Sequence, residues 1–323
     1  MPVAPTVDSP ESEIAANATA GRNWLWLRRL MVVGIAIGCA LLFVHEPGPE
    51  QHRLMREFWD QGHLILFGIV GFFAGERLWM QPWRKFLLCL VLAAGVGWLI
   101  EVMQYFIGRD YSLGDVYADC VGMSLGLLIG GRARLRRYRW LFRAAAALVI
   151  SLILLQLKTP VLSAVDAVNA WRTFPVLANF ENGAMPQLQR DRFFGIDAAL
   201  SVDRGALRVK LRPGLYPGFV LDDFPNDWRG YHVLVLDVEN PDKRDLSLIC
   251  RIHDAGHNWQ HADRYNRRFD VAPGRHQIRI DLGDVEQAPQ GRLMNMAEIR
   301  APQCFSYQLA QPRELRIFRV DLE

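Results

Sequence analysis

The sequence predicts an α-helical membrane bundle followed by an all-β sandwich. Long apolar runs fill residues 23–157, whereas residues 158–323 have the mixed composition of a soluble domain. In that second part, short runs alternate apolar and polar residues and end at turn signals such as Pro213-Gly214. The 323-residue chain is 51% hydrophobic with a net charge of +3. This composition excludes a disordered or collagen-like chain and does not favour nucleic acid as a partner.

Five transmembrane helices are predicted, because a helix that crosses a bilayer needs roughly 20 mostly apolar residues. The candidate segments are residues 24–44, 62–78, 86–107, 111–131 and 141–157. The second is short, and the fourth contains Asp115 and Asp119. The first lacks a cleavage site, so we expect it to remain as an anchor.

Basic residues fix the expected orientation. They cluster before the first segment, between the second and third, and between the fourth and fifth. With five spans, all three clusters fall on one side, which the positive-inside rule makes cytoplasmic. The expected organisation is a flexible cytoplasmic N-terminus (1–22), a transmembrane domain (23–131), a basic loop with the fifth helix and a linker (132–170), and an extracytoplasmic sandwich (171–323).

Glycines four residues apart occur in three of the predicted spans. In a lipid environment this spacing allows two helices to approach closely. The sequence therefore predicts glycine-mediated helix packing at these positions: Gly34 and Gly38, Gly71 and Gly75, and Gly122, Gly126 and Gly130.

Polar residues that interrupt the predicted spans form the first candidate site. Ionisable groups inside a membrane cost on the order of several kcal/mol each, so they need a partner or a function. The alternating topology places His63, Glu101, Gln104, Arg109 and Asp115 near the outer leaflet. An imidazole can transfer a proton, a carboxylate can orient it or act as a base, and a guanidinium can bind phosphate. The alternative is a buried network that only holds three helices together.

The motifs that contain these residues resemble the VanZ-like family over residues 25–131. They read Asp60-x-x-His63-x-x-x-Phe67, Glu101-x-x-Gln104, Gly108-Arg109-x-x-Ser112-x-x-Asp115 and Asp119-x-x-Gly122-x-x-x-Gly126. Two positions depart from the family pattern: Gln61 replaces the usual lysine, and Asp119 replaces the usual asparagine.

This resemblance implies a multi-pass protein of the bacterial cytoplasmic (inner) membrane and its cell envelope. The family is associated with teicoplanin resistance and is proposed to resemble membrane enzymes that act on lipid head groups or lipid-linked envelope intermediates. The implied partner is a membrane lipid or a lipid-linked glycan at the outer leaflet, with the five polar residues above as catalytic candidates. The alternative is a non-catalytic envelope or antibiotic-resistance protein whose β-domain binds glycan and whose helices only anchor it. Whether the chain is an enzyme stays open, and no cofactor or metal is expected.

The β-domain, with about eight to ten predicted strands, resembles a jelly-roll, carbohydrate-binding or galactose-binding-like module. The resemblance depends on Leu177-Ala-Asn-Phe-Glu181, the turn Pro273-Gly274 and the closing strand Ile317-Phe-Arg-Val-Asp-Leu322, and it implies a polysaccharide partner. Sugar sites combine flat aromatic rings with polar groups. The candidates, each of which could equally be a core or loop residue, are Trp228, Tyr231, Trp259, Asp263, Arg264, Tyr265 and Asn266.

Two further patterns in the β-domain leave alternatives open. His253, His257 and His261 are four apart, which would form a metal-binding face on a helix, but flanking strands predict a solvated loop instead. Cys250 and Cys304 either form a disulfide or leave Cys250 free and buried in a strand.

Overall fold

A computed structural model describes residues 26, 29–40, 53–77, 81–108 and 111–323. The chain divides into two compact units. The helical unit comprises Met1–Glu46 and Phe58–Lys158, and the sandwich unit comprises Pro47–Glu57 and Thr159–Glu323. The last part of the long helix before the sandwich therefore belongs to the sandwich unit.

Three of the described helices are long and apolar enough to cross a membrane, namely α4 (Pro82–Phe106), α5 (Leu113–Gly130) and α7 (Arg139–Thr173). Helix α3 (Gln61–Gly75) has 15 residues, which is shorter than the roughly 20 that a span needs. The predicted first span, 24–44, lies partly outside the described residues. The described part of the chain thus supports three of the five predicted spans. The helices up to the sandwich are α1 (Arg29–Ala40), α2 (Arg53–Trp59), α3 (Gln61–Gly75), α4 (Pro82–Phe106), α5 (Leu113–Gly130), α6 (Arg132–Leu135) and α7 (Arg139–Thr173).

Glycines bring α3 and α5 into backbone contact, as the sequence predicts. A Cβ atom added at Gly126 would lie 2.7 Å from the carbonyl carbon of Gly71 and would contact the carbonyl oxygen of Gly68. Gly122 and Gly130 face the α3 backbone in the same way. This close approach places the polar residues of the two helices next to each other.

The sandwich unit consists of two antiparallel sheets, which confirms the predicted all-β sandwich. One sheet has the order β3-β4-β11-β6-β9, with β1 also paired to β11, and the other has the order β2-β5-β10-β7-β8. From β4 to β7 the chain crosses between the sheets at each step, as in jelly-roll sandwiches. The strands are β1 (Val176–Asn179), β2 (Phe193–Ile196), β3 (Ala198–Asp203), β4 (Ala206–Leu211), β5 (Gly218–Leu221), β6 (Val233–Asn240), β7 (Leu246–Asp254), β8 (Tyr265–Val271), β9 (Gly274–Asp281), β10 (Ile299–Phe305) and β11 (Arg313–Leu322). Two short helices, α8 (Pro186–Arg190) and α9 (Leu282–Glu286), lie in the connections.

The core lies between the two sheets because each strand alternates inward and outward side chains. In β7, Leu246, Leu248, Cys250 and Ile252 are each about 1% exposed and belong to the core. Cys250 lies directly opposite Cys304 of β10, and the two form a disulfide. The structure thus selects the first of the two alternatives for these cysteines.

A buried ion pair ties the end of α7 to the sandwich. Asp166 and Arg192 are 2% and 1% exposed. Arg192 donates from Nε to Asp166 Oδ2 (2.8 Å) and from Nη2 to Oδ1 (2.7 Å), and its Nη1 donates to the Leu177 carbonyl oxygen (2.7 Å). The two parallel bonds give this pair the geometry of a strong carboxylate–guanidinium interaction.

Candidate functional site

The first candidate site lies in the helical unit, where α3 meets α5. His63 Nδ1 lies 3.0 Å from Asp119 Oδ1, and His63 Nε2 lies 3.8 Å from Asp115 Oδ2. His63 is 4% exposed and Asp119 is fully buried. Asp115 and Asp119 reach the same imidazole because residues four apart share one face of a helix.

Glu101 adds a third carboxylate from α4. It is fully buried, and its Oε2 accepts a hydrogen bond from the backbone N–H of Ser112 (2.7 Å). Ser112 is the N-cap of α5, and its hydroxyl accepts a hydrogen bond from the Asp115 N–H. Glu101 therefore connects α4 to the start of α5 beside the imidazole. Together, His63, Glu101, Asp115 and Asp119 form the polar cluster.

A glycine on α4 makes room for Asp119. A Cβ atom at Gly97 would contact Asp119 Oδ2 and would lie 3.2 Å from its Cγ. Gly97 is one helical turn before Glu101, so the space for one carboxylate adjoins the position of another. Gly95 and Gly97 can be seen in the sequence, but the role of Gly97 depends on which helix packs against it.

Three of the five catalytic candidates lie together in the polar cluster: His63, Glu101 and Asp115. Gln104 is buried one turn beyond Glu101 on α4. Arg109 lies outside the described residues. Asp119, which lies four residues after Asp115 and is not among those five candidates, is the direct hydrogen-bond partner of the histidine. An imidazole held by one carboxylate and facing two more can accept, store and release a proton.

The second candidate site is a cleft on the outer face of the five-stranded sheet. Its cavity volume is about 410 Å³. The strand register places Phe194, Val220, Gln303 and Arg251 opposite one another across β2, β5, β10 and β7. These residues alternate with core residues along their strands, so their side chains form the floor of the cleft. Asn266 of β8 lies opposite Arg251 and extends the same row.

An exposed tryptophan borders this cleft. Trp259 is 66% exposed and adopts a positive φ of 66°. Its ring centroid lies 5.5 Å from that of His257 and 6.0 Å from that of His253. The two imidazoles stack on each other with their ring centroids 4.7 Å apart. Both therefore pack beside the indole. The cleft thus combines a supported indole with the exposed ring of Phe194 on its floor.

The charge of the cleft is positive. Arg56, Arg251, Arg300 and Asp222 line it, and Arg56 pairs with Asp222 at 3.2 Å. Burial, together with the nearby Arg264, lowers the pKa of Arg251, and the buried Nε of Arg251 has no hydrogen bond within the described part of the chain. Burial lowers the pKa of His253 to about 4, so this imidazole is neutral at neutral pH.

The ligand-binding candidates from the sequence are divided between the cleft, its surroundings and the core. Trp259 lines the cleft, Asn266 continues its floor, and Arg264 is half-buried near Arg251. Asp263 is buried and accepts hydrogen bonds from Arg292 Nε (2.6 Å) and the Asn258 N–H (2.8 Å). Those bonds hold the pKa of Asp263 well below its usual range.

Two aromatic candidates are core residues, and a third packs against the core. Trp228 is fully buried, donates from Nε1 to the Pro225 carbonyl oxygen and packs on Phe224. Tyr265 is 5% exposed within the core, and Tyr231 packs against the core. Of the two alternatives that the sequence leaves open, burial favours a core role for Trp228 and Tyr265, and Tyr231 is half-buried. Sequence reasoning missed Phe194, Arg251, Arg300 and Gln303; the outward positions of alternating strands were the available signal.

No family model and no curated protein matches the chain. The sandwich is similar to solved carbohydrate-binding modules. One is a family 11 module from Clostridium thermocellum in complex with a β-1,3-1,4-mixed-linked tetrasaccharide, with 11% identity and a TM-score of 0.36, covering 46% of this chain and 93% of that one. Another is the family 29 module CBM29_1 from Piromyces equi, with 11% identity and a TM-score of 0.29, covering 41% and 80%. PfGH50B, with 15% identity and a TM-score of 0.34, is matched over 41% of this chain but 22% of its own length.

Proposed function

We propose that the sandwich binds an acidic carbohydrate in the cleft and that the apolar helices anchor it in a membrane. The observation that carries this proposal is the composition of the cleft: two exposed aromatic rings stand beside three arginines and one aspartate. The apolar face of a sugar ring packs on an aromatic side chain, and a guanidinium binds a carboxylate, sulfate or phosphate through parallel hydrogen bonds. A cavity of about 410 Å³ is in the size range of small-ligand sites.

The compartment that we propose for this binding is the extracytoplasmic side of a bacterial cytoplasmic membrane. Disulfides persist in oxidising compartments, and Cys250 and Cys304 are bonded in the sandwich. The basic clusters of the sequence favour the same side for this unit. The ligand would then be an envelope polysaccharide or the glycan part of a lipid-linked intermediate.

The test is calorimetric titration of the full chain in detergent with uronate-bearing, sulfated and phosphorylated oligosaccharides and with their neutral counterparts. We expect an acidic probe to bind and Trp259→Ala to weaken its binding about 5–30-fold, because stacking on an exposed indole contributes on the order of 1–2 kcal/mol. Arg251→Gln should remove most of the preference for the acidic over the neutral probe.

Matched controls separate the cleft from general surface effects. Trp171→Ala removes an exposed indole from α7, and Arg267→Gln removes an exposed guanidinium from β8; both should bind as the unchanged protein does. Equal binding of neutral and acidic probes, unchanged affinity of both cleft variants, or no binding of any probe would each contradict the proposal.

A second candidate function is VanZ-like catalysis at the polar cluster. The observation that favours it is the meeting of His63, Glu101 and Asp115 from three helices, with Asp119 fixing the imidazole through Nδ1. This arrangement supports general acid–base chemistry on a lipid head group or a lipid-linked envelope intermediate.

The catalytic candidate is tested by lipid and lipid-linked glycan profiles of cells. Cells without the protein are compared with cells that carry the unchanged protein or Glu101→Gln at matched membrane abundance. If the polar cluster is catalytic, cells without the protein and cells with Glu101→Gln should show a change in the same envelope species, because the substitution removes a carboxylate at constant size. If loss changes a species and Glu101→Gln restores it fully, the helices only anchor the sandwich.

A further inference from the structure

We propose that the polar cluster binds one divalent transition-metal ion. Its ligands would be Nε2 of His63 and one carboxylate oxygen each of Glu101 and Asp115, with Asp119 positioning the imidazole. This site is independent of carbohydrate binding by the sandwich, because none of these residues belongs to the sandwich unit.

The distances fit three ligands of one ion. One ligand atom from each of His63, Glu101 and Asp115 lies within 4.8 Å of the other two. Ligands that bind zinc at about 2.0–2.2 Å lie roughly 3–3.5 Å from one another. Small rotations of the two carboxylates, each on its own helix, close that difference.

The orientation of His63 is that of a metal ligand. Metal-binding histidines commonly donate their other ring N–H to a carboxylate, which fixes the tautomer. Nδ1 lies 3.0 Å from Asp119 Oδ1; in the tautomer that carries its N–H on Nδ1, the lone pair is on Nε2, which lies 3.8 Å from Asp115 Oδ2. Nε2 is buried and makes no hydrogen bond among the described residues.

One carboxylate oxygen of Glu101 is also buried and makes no hydrogen bond among the described residues. Oε2 accepts a hydrogen bond from Ser112, whereas Oε1 is buried without a hydrogen bond within the described residues. Two buried polar atoms without a hydrogen bond among the described residues thus belong to two residues of the candidate ligand set, on different helices. A buried polar atom without a partner lowers stability, and an ion bound by both atoms would remove that cost.

Charge points to a cation in the same place. The polar cluster contains three carboxylates and one imidazole, with Glu101 and Asp119 fully buried. Buried anions of this number need compensation by a cation. Arg109 lies outside the described residues, and the test includes a variant of it.

The donor set selects the kind of ion. One imidazole nitrogen with two carboxylate oxygens suits Zn²⁺, Mn²⁺ or Fe²⁺, whereas Ca²⁺ and Mg²⁺ prefer oxygen alone. Three protein ligands leave positions open for water or for an oxygen of a phosphate group.

The test measures metal directly. The full chain, purified in detergent without an affinity tag and stripped with a chelator, is incubated with Zn²⁺ alone and desalted, and bound zinc is counted by mass spectrometry. We expect one zinc per chain, with the equivalent lost in His63→Gln and in Glu101→Gln. Asp119→Asn should keep the ligands but weaken zinc binding about 10–100-fold. Co²⁺ in place of Zn²⁺ should give visible absorption that the ligand variants lack.

Two further variants test whether the zinc is bound by the polar cluster. His257→Gln in the sandwich, whose imidazole contacts the Asp263 backbone and carboxylate instead, should leave the zinc count unchanged. Arg109→Gln should leave it unchanged or raise it. The proposal is overturned if the stripped protein, helical by circular dichroism and monodisperse, takes up no zinc, or if His63→Gln and Glu101→Gln retain the full equivalent.

Discussion

Gly126→Ala is expected to destabilise the helical unit by more than about 3 kcal/mol, at the upper end of the cost of overpacking. The added methyl group would meet the Gly68 carbonyl oxygen, the Phe72 nitrogen at 2.5 Å and the Gly71 carbonyl carbon at 2.7 Å. All three are backbone atoms of α3, so no side-chain rotation relieves the overlap. The two helices must separate, which also moves His63 away from Asp119.

This loss of stability is opposite in sign to the effect that helix propensity alone would give. In an exposed helix, replacing glycine by alanine stabilises by about 1 kcal/mol. Gly95→Ala on α4 is the matched control, because nothing lies within 4 Å of its added methyl group. Thermal unfolding of the full chain in detergent, followed by circular dichroism at a helical wavelength, should show loss for Gly126→Ala and no loss for Gly95→Ala. Equal melting of the two variants would show that α3 and α5 do not pack through these glycines.

Asp166→Ala is expected to destabilise the sandwich unit by about 3–5 kcal/mol. The substitution leaves the Arg192 guanidinium buried beside Leu177 with its carboxylate partner removed. For a unit of this size that loss lowers the melting temperature by roughly 10 °C. Tryptophan fluorescence during heating of the full chain measures it.

A double variant separates the value of the pair from the cost of an orphaned charge. Asp166→Leu combined with Arg192→Met removes both charges at similar volume, and replacing a buried ion pair by apolar groups is often neutral. We therefore expect the double variant to melt above Asp166→Ala. Asp227→Ala, which breaks an exposed pair with Arg229, is the control and should melt as the unchanged protein does. The explanation fails if Asp166→Ala behaves like Asp227→Ala.

Local patterns in the sequence predicted the kind of architecture. They could not predict which residues of different helices or strands are in contact. Alternation of apolar and polar residues is a property of a single strand, so the sandwich was predictable. Glycine spacing is a property of a single helix, and the contacts of Gly122 and Gly126 with α3 confirm it. The span count was less accessible, because α3 is 15 residues long and residues before 53 are described only in part.

The candidate sites show the same division. His63, Glu101 and Asp115 could be grouped because adjacent antiparallel spans bring residues at similar depth together. Spacing places Asp119 on the same helix face as Asp115, but its hydrogen bond to the imidazole depends on how α5 packs against α3. The cleft could not be predicted because its floor depends on the register of four strands, and no single segment of the sequence specifies that register. Trp228 and Trp259 are chemically identical in the sequence, and the fold alone decides that one is core and the other surface.

The position of β11 has a consequence for biosynthesis. This ten-residue strand lies at the centre of the six-stranded sheet, where β1, β4 and β6 all pair with it. It is also the last of the described strands to leave the ribosome. The β3–β4 and β6–β9 pairs therefore have no shared sheet until synthesis reaches residue 322, and the sandwich cannot assemble progressively as the chain emerges.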